Sequence, residues 1–428
     1  MINKPQPKNS GQVLVLYAIA LLALVAVAAL LLESGQTYLH RRQAQAAADA
    51  GALAGARLMC NGGSDAAILA AAQSLSNQNG ATTTVASFGS YTYDSETYRT
   101  VNVDAAIRQR PFVGVFGVNE MDIPGSARAA CFSPYSASRV MPVAWSCRPP
   151  IGGSESPDCA QKSLNWEREM VPLLNGPTGG TVTIEGRTYN TPFDFDHNYL
   201  PQLYIFMDSD KTPVDHCISY GGTLDCDIDN DGQDDILGTG DRSWLDLTGG
   251  GGGASELRDW ISGAYSGQLR VHTWIPAESG VMASTFQDVD CYIIGNGRGC
   301  TPRNPVILPV FNAVCNTNPI GSTACQNAAH TGTYGLPLLP GGSDSVVSGA
   351  GHPDYYHMIG FSGMYVTCVE ANGSASGCPG KAAAVAAGLL DRSDKTIEGY
   401  FVNGYPFDLE DPLPGGQRLG IEFPSLVP

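Results

Sequence analysis

From Val13 to Leu32 the chain reads VLVLYAIALLALVAVAALLL, twenty consecutive residues without a charge. As a helix rising about 1.5 Å per residue, this run covers about 30 Å, the hydrocarbon thickness of a bilayer. A helix at the edge of a soluble core keeps a polar face, and this one has none. The run therefore reads as a transmembrane helix over residues 11–32, behind a polar tail of residues 1–10. Lys4 and Lys8 precede it and Glu33 follows it, so the positive-inside rule puts the tail in the cytoplasm and the remainder outside. The competing reading is a cleaved and secreted protein, with Ala26-Val27-Ala28 as a small-residue cut site. Against it, the apolar run continues to Leu32 and helical sequence follows at once.

The composition agrees with export. Twelve cysteines without a zinc-type CxxC point to disulfides and an oxidising compartment. A net charge of -17 repels phosphate backbones and argues against nucleic-acid partners. With 428 residues, two or three domains are expected. The 51 glycines and 28 prolines imply many turns and short strands.

Beyond the apolar run, residues 33–59 are alanine-rich and free of proline, so one helix is expected from about 12 to 59. Gly51 and Gly55, with Ala47, Ala50 and Ala54, form a small-residue seam that lets another backbone approach. The seam serves either the chain's own strands or a helix-to-helix assembly contact. Asn61-Gly62-Gly63 ends the helix, and Ser64 or Asp65 caps a second one that runs to Asn79-Gly80. Strands are expected over 81–88, 98–109 and 121–132, the second from the alternation of Val101, Val103 and Ala105 with Asn102, Asp104 and Ala106. From residue 134 the chain is loop-rich, with short apolar strands at 139–145, 203–207, 271–275, 306–311, 358–369 and 399–405. The expected fold class is α+β. A long transmembrane and stalk helix leads a small α+β unit to residue 133, and a mainly β ectodomain with disulfides occupies 134–428.

Ten cysteines fall into sequence-neighbour pairs: Cys147 with Cys159, Cys217 with Cys226, Cys291 with Cys300, Cys315 with Cys325, and Cys368 with Cys378. Cys60 and Cys131 remain. The expected scheme is five local bridges plus Cys60–Cys131, although spacing alone does not fix connectivity. Each local bridge removes roughly 2.5–3 kcal/mol of unfolded-chain entropy in the chain-entropy model.

Asp227-Ile228-Asp229-Asn230-Asp231-Gly232-Gln233-Asp234-Asp235 fits a calcium loop. Asp227, Asp229, Asp231 and Asp235 supply carboxylates, Gln233 supplies its backbone carbonyl, and Gly232 permits the sharp turn. Gly238 stands where an EF-hand carries its bidentate Glu, so the expectation is a structural calcium site in a strand-flanked loop. Eight carboxylates lie within residues 225–246 with only Arg242 opposing them, which favours a cation; the alternative is a solvated acidic loop. Other motifs carry less. The glycine run at 249–253 lacks the lysine of a phosphate loop and reads as a turn. Asp208, Asp210 and Thr212 only brush against a metal-adhesion pattern, and His352, Asp354 and His357 lack HExxH spacing. No GxSxG elbow occurs, and no enzyme is expected.

Residues 11–56 resemble the N-terminal segment of TadE/TadG-like proteins of the tight-adherence (Flp-type) pilus. The resemblance rests on Gly11-Gln12, on Tyr38, on Arg41-Arg42-Gln43 with Gln45, and on the run Ala47-Ala48-Asp49-Ala50-Gly51-Ala52-Leu53-Ala54-Gly55-Ala56. It implies a pilus-assembly or minor pilin-like structural component in a bacterial cytoplasmic membrane. Such a protein is single-pass, with an extracytoplasmic C-terminal domain. Membrane lipid and other pilus-assembly or pilin-like proteins, met through the Ala/Gly helix face, are the implied partners. Prepilin-type processing wants a Glu five residues past the cut glycine, and Leu16 stands there, so the anchor is expected to stay, as in the TadG-like branch. The rival functions are a calcium-dependent surface adhesin and a cell-envelope hydrolase.

Overall fold

The computed structural model describes residues 12–93, 96–111, 119–143, 145–146, 163–184, 186–193, 203–208, 218–220, 223–225, 244–248, 253–264, 267–278, 283–297, 299–315, 355–371, 378–386, 392–393, 395–407, 409, 414–416 and 418–428. The chain divides into two compact units. Unit 1 is Met1–Cys131 with Pro424–Pro428, and unit 2 is Phe132–Phe423.

Unit 1 opens with helix α1, Gln12–Cys60, which continues from the apolar run into the alanine-rich segment without a break. It stops in a Schellman motif. Gly63 N–H donates to the Leu58 carbonyl and Gly62 N–H to the Met59 carbonyl, with Gly62 at φ +69°. Helix α2, Asp65–Gln78, follows, and the Ser64 hydroxyl accepts from Ala67 N–H as its N-cap. Strands β1 (Thr83–Tyr93), β2 (Glu96–Gln109) and β3 (Met121–Phe132) make an antiparallel meander. The last strand of the chain, Phe423–Val427, completes a four-stranded sheet next to β3. The sequence assigns residues 134–428 to the second domain, whereas Pro424–Pro428 group with the first unit and its sheet.

The outer half of α1 docks on this sheet through its smallest side chains. Ala44, Ala47, Ala48, Ala52 and Ala56 are fully buried, a helical spacing that makes one continuous face. Val101, Val103, Ala105 and Ala129 face them from β2 and β3, and Ile68 and Ala72 from α2. Three glycines set the approach distance. A Cβ on Gly125 would stand 2.5 Å from the Ala44 carbonyl carbon, one on Gly51 2.7 Å from the Ala72 oxygen, and one on Gly55 2.7 Å from a Val101 methyl. The Cys60–Cys131 disulfide then ties the end of α1 to β3, closing a sequence separation of 71 residues. That closure is worth about 4 kcal/mol in the chain-entropy model.

Unit 2 carries short strands β4 (Ser136–Ser138), β5 (Trp145–Ser146), β6 (Leu164–Asn165), β7 (Gly180–Ile184), β8 (Arg187–Thr191), β9 (Leu203–Asp208), β10 (Ile218–Tyr220), β11 (Thr223–Asp225), β12 (Trp244–Leu245), β13 (Gln268–Arg270) and β14 (Trp274–Glu278). Longer strands are β15 (Val306–Cys315), β16 (Tyr355–Glu370) and β17 (Lys395–Asn403); β18 is the closing Phe423–Val427 strand already placed in unit 1. Among the described residues its α-helices are α3 (Val171–Asn175), α4 (Gly253–Ser262), α5 (Ala283–Val289) and α6 (Pro379–Ala386), with π-helical turns at Trp166–Met170 and Asp290–Ile294. The main sheet runs β11-β10-β9-β17-β16-β14-β12, with β15 also on β16. Its middle is buried on both faces, which explains the long apolar runs in β16 and β17. Val306, Leu308 and Val310 join one core with α4 and α5, while Ile307 and Phe311 join another with Tyr356, Met358 and Phe361.

Two expected strands are shortened, and both have local causes. Residues 139–145 form only the β5 pairing and an isolated bridge at Val143, because Arg139 sits at φ +54° and Val143 N–H turns back to the Met141 carbonyl. The run 271–275 is cut by His272 at φ +60°, so β14 starts only at Trp274. Arg303 closes the other side of this region. Its guanidinium donates to the Trp260, Ile261 and Arg139 carbonyls, capping the C-terminus of α4.

The expected disulfide scheme is met at three of its six bridges. Cys60–Cys131, Cys291–Cys300 and Cys368–Cys378 are joined, with Cα atoms 5.4, 5.5 and 5.7 Å apart. The other three expected bridges are not among those the structure describes. Cys147 and Cys159 both lie outside the described residues, as do Cys217 and Cys226. Cys315 ends β15, but its expected partner Cys325 lies outside the described residues.

Gly125→Val forces a branched side chain into the α1 backbone. It should destabilise unit 1 by about 1–3 kcal/mol, read by chemical denaturation, whereas Gly35→Ala, which meets open space inside a helix, should not lower the midpoint.

Candidate anchoring and assembly site

The large apolar side chains from Val13 to Leu32 are 54–76% exposed on every face of α1. Burying even half of them in water-free surroundings is worth about 10–20 kcal/mol, at about 1.5–3 kcal/mol per side chain. Polar groups begin at Glu33, and the helix changes neighbours over the next three turns. Thr37 donates to the Gln109 side-chain oxygen at 3.4 Å, and the Arg42 guanidinium lies 6.0 Å from the Tyr38 ring centre. Gln45 then clamps the helix to the sheet, donating to the Ser126 carbonyl and to Asp49, each at 2.8 Å. From Ala44 onward the sheet-facing side is buried, while Ala46 and Arg57 stay exposed.

The residues that carried the sequence resemblance thus have identifiable physical tasks. Gln45, which also donates to Asp49, holds β3, Ala47, Ala48, Ala52 and Ala56 fill the core, and Gly51 and Gly55 admit α2 and β2. The Gly51/Gly55 seam is therefore occupied by the chain's own α2 and β2. Arg41, Arg42, Ala46 and Arg57 are exposed on the remainder of the helix.

All five candidate calcium ligands, Asp227, Asp229, Asp231, Gln233 and Asp235, lie outside the described residues, together with His352 and Asp354. So do five of the candidate disulfide cysteines, Cys147, Cys159, Cys217, Cys226 and Cys325. His357 is described, buried with its ring 5.2 Å from that of Trp274 and 6.3 Å from that of His272.

Sequence reading missed a buried acid. Glu398 on β17 has no exposed surface, and its two carboxylate oxygens accept from Gly380 N–H at 2.9 Å and Lys381 N–H at 2.6 Å, the first amides of α6. The Lys381 ammonium, also buried, donates to the Arg392 carbonyl at 2.9 Å. Burial pushes the Glu398 carboxyl up to about 7. The two amides and Lys381 oppose that rise, and nearby Glu370 adds to it. The available signal was an acid inside the apolar strand KTIEGYFVN.

Among the described residues, one long apolar helix whose second half forms the spine of a small antiparallel sheet fits a membrane-anchored helix-on-sheet protein with a large second unit. The family comparison agrees: residues 11–58 match the Tad family, described as Flp pilus-assembly TadE/G-like. The N-terminal segment thus matches a TadE/G-like pilus-assembly family model, and among the described residues its one long apolar helix fits a single-pass anchor. No curated protein and no solved structure matches the chain.

Buried ionisable groups in unit 2 give opposite pH dependences. Glu398 holds its proton up to about pH 7 in the fold but only to about 4.5 ordinarily, so its contribution is full below 4.5 and is lost as pH rises through 7. His357 is pulled down from 6.5 to about 4 by burial and then by His272, so its contribution is present above 6.5 and lost as pH falls toward 4. The two slopes oppose each other between about pH 4.5 and 6.5, and the carboxyls of Glu278, Asp290 and Glu422, also raised by burial, act in the Glu398 direction. Glu398→Gln removes one opposing slope and should make the melting temperature rise with pH, relative to the wild-type profile, across that window. A variant profile parallel to the wild type would contradict this assignment.

Proposed function

We propose that the protein is a TadG-like pilus-assembly component, retained in the bacterial cytoplasmic membrane by α1, with its C-terminal bulk on the extracytoplasmic side. The observation that carries this reading is the coincidence of the Tad segment with the stretch of α1 that leaves the apolar span and docks on the sheet. The bridged cysteines support export, and the two lysines ahead of the span support the orientation. Other pilus components meet α1 on the face that the sheet leaves open. The ectodomain binds calcium through Asp227, Asp229, Asp231, the Gln233 carbonyl and Asp235, and the ion offsets the mutual repulsion of that acidic segment. Its role is structural, and no reaction is assigned to it.

Deleting the gene in its host should abolish Flp-type pili, with recovery from the full chain but not from a chain lacking residues 12–32. In a parallel arm, chelation of calcium should lower the melting temperature of the purified protein, and Asp229→Ala should remove that response. Intact pili together with loss of calcium-dependent surface binding would favour the adhesin reading instead.

A further inference from the structure

A sheet ends in strands whose outward N–H and C=O groups lack partners, and proteins guard such edges by shortness, proline, charge or bulges. Among the described residues, the main sheet of unit 2 ends in β11 and β12, of three and two residues. Among the same described residues, the sheet of unit 1 ends in β1 on one side and β18 on the other. β18 has five residues and contains Pro424. β1 is different. It has eleven residues, TTVASFGSYTY, with no charge and no proline, and it pairs with β2 along its whole length without a bulge.

Three further features bear on what covers that edge. Each edge strand exposes a large apolar side chain, Val85 at 63% on β1 and Leu426 at 42% on β18. Neither strand carries a charge. Unit 1 is also nearly neutral, with nine basic and eight acidic residues, while the other fifteen basic and thirty-three acidic residues lie in unit 2. The charge repulsion between two copies therefore resides in unit 2, their unit 1 sheets meet without net repulsion of their own, and a strongly charged partner would gain nothing there.

We propose that the β1 edge of one molecule pairs with the β18 edge of a second copy in the same membrane, continuing the four-stranded sheet from molecule to molecule. This inference rests on the single-pass anchor proposed above, and the anchor selects the pairing. α1 lies in a layer parallel to the sheet. Antiparallel β1–β1 pairing has its two-fold axis normal to the sheet, so it would reverse α1 and send the two spans in opposite directions. Head-to-tail pairing of β1 with β18 keeps every α1 on one face and pointing one way, and it is an open, row-forming contact. The five residues of β18 make each contact weak in solution. Confinement of the anchors to one bilayer supplies the effective concentration.

The test uses full-length protein in native membranes carrying Val85→Cys and Leu426→Cys, exposed to a mild thiol oxidant. Within one molecule these positions are about 14 Å apart, three strand spacings, too far for a disulfide. The double variant should give a ladder of dimers, trimers and longer species, and each single variant should lose the ladder. Both sites are exposed, and retention of the Cys60–Cys131 bridge on non-reducing gels confirms folding. Dimers from Val85→Cys alone, as abundant as in the double variant, would overturn the head-to-tail pairing. Monomers throughout, in a carbonate-resistant pellet, would overturn the sheet continuation while leaving the anchor intact. Release of the chain by carbonate would overturn the anchor, and this proposal with it.

Discussion

Between Ala44 and Ala56 every buried position of α1 is an alanine or a glycine, and the β3 backbone at Gly125 lies directly against the Ala44–Gln45 peptide. This close approach is the interaction on which unit 1 depends. Without it the sheet would have no second layer, because α2 alone is too short to cover three long strands. The Cys60–Cys131 bridge and the Gln45 bond to Ser126 hold the same two elements at further points. One helix thereby solves two solvation problems. Its first half is apolar all round, which fits a lipid surrounding, and its second half is apolar along one stripe, which packs on the sheet.

The fold of unit 1 was largely legible because its signals are local and periodic. An unbroken run of helix formers gave α1, the Asn61-Gly62-Gly63 stop and the Ser64 cap gave α2, and alternation at Val101, Val103 and Ala105 gave β2. The return of β18 to the first sheet was not legible, since it pairs residues some three hundred positions apart and no short-range pattern encodes that. In unit 2 the apolar runs gave the positions of β15, β16 and β17. Single residues at positive φ, Arg139 and His272, cut short two strands whose side chains alone read as β.

The candidate site was legible in part for the same reason. The small residues at 47–56 signalled a close approach, but composition could not say to what. The structure supplies α2, β2 and β3 as the occupants. The motif that marks a Tad segment is therefore, in this chain, chiefly an instruction for docking the anchor on its own sheet. Glu398 shows the converse case. It is one acid in an apolar strand, buried against the first amides of α6, and its consequence depends on a helix that begins about twenty residues earlier in the chain.

Site-directed spin labels placed one at a time along α1 in reconstituted bilayers, with collision rates to oxygen and to a water-soluble nickel chelate, test the two-solvent helix most directly. The account predicts high oxygen and low nickel accessibility at every position from 13 to 32, followed by a helical period in accessibility from 44 to 60. A helical period running through 13–32 as well, or nickel access across that run, would contradict it.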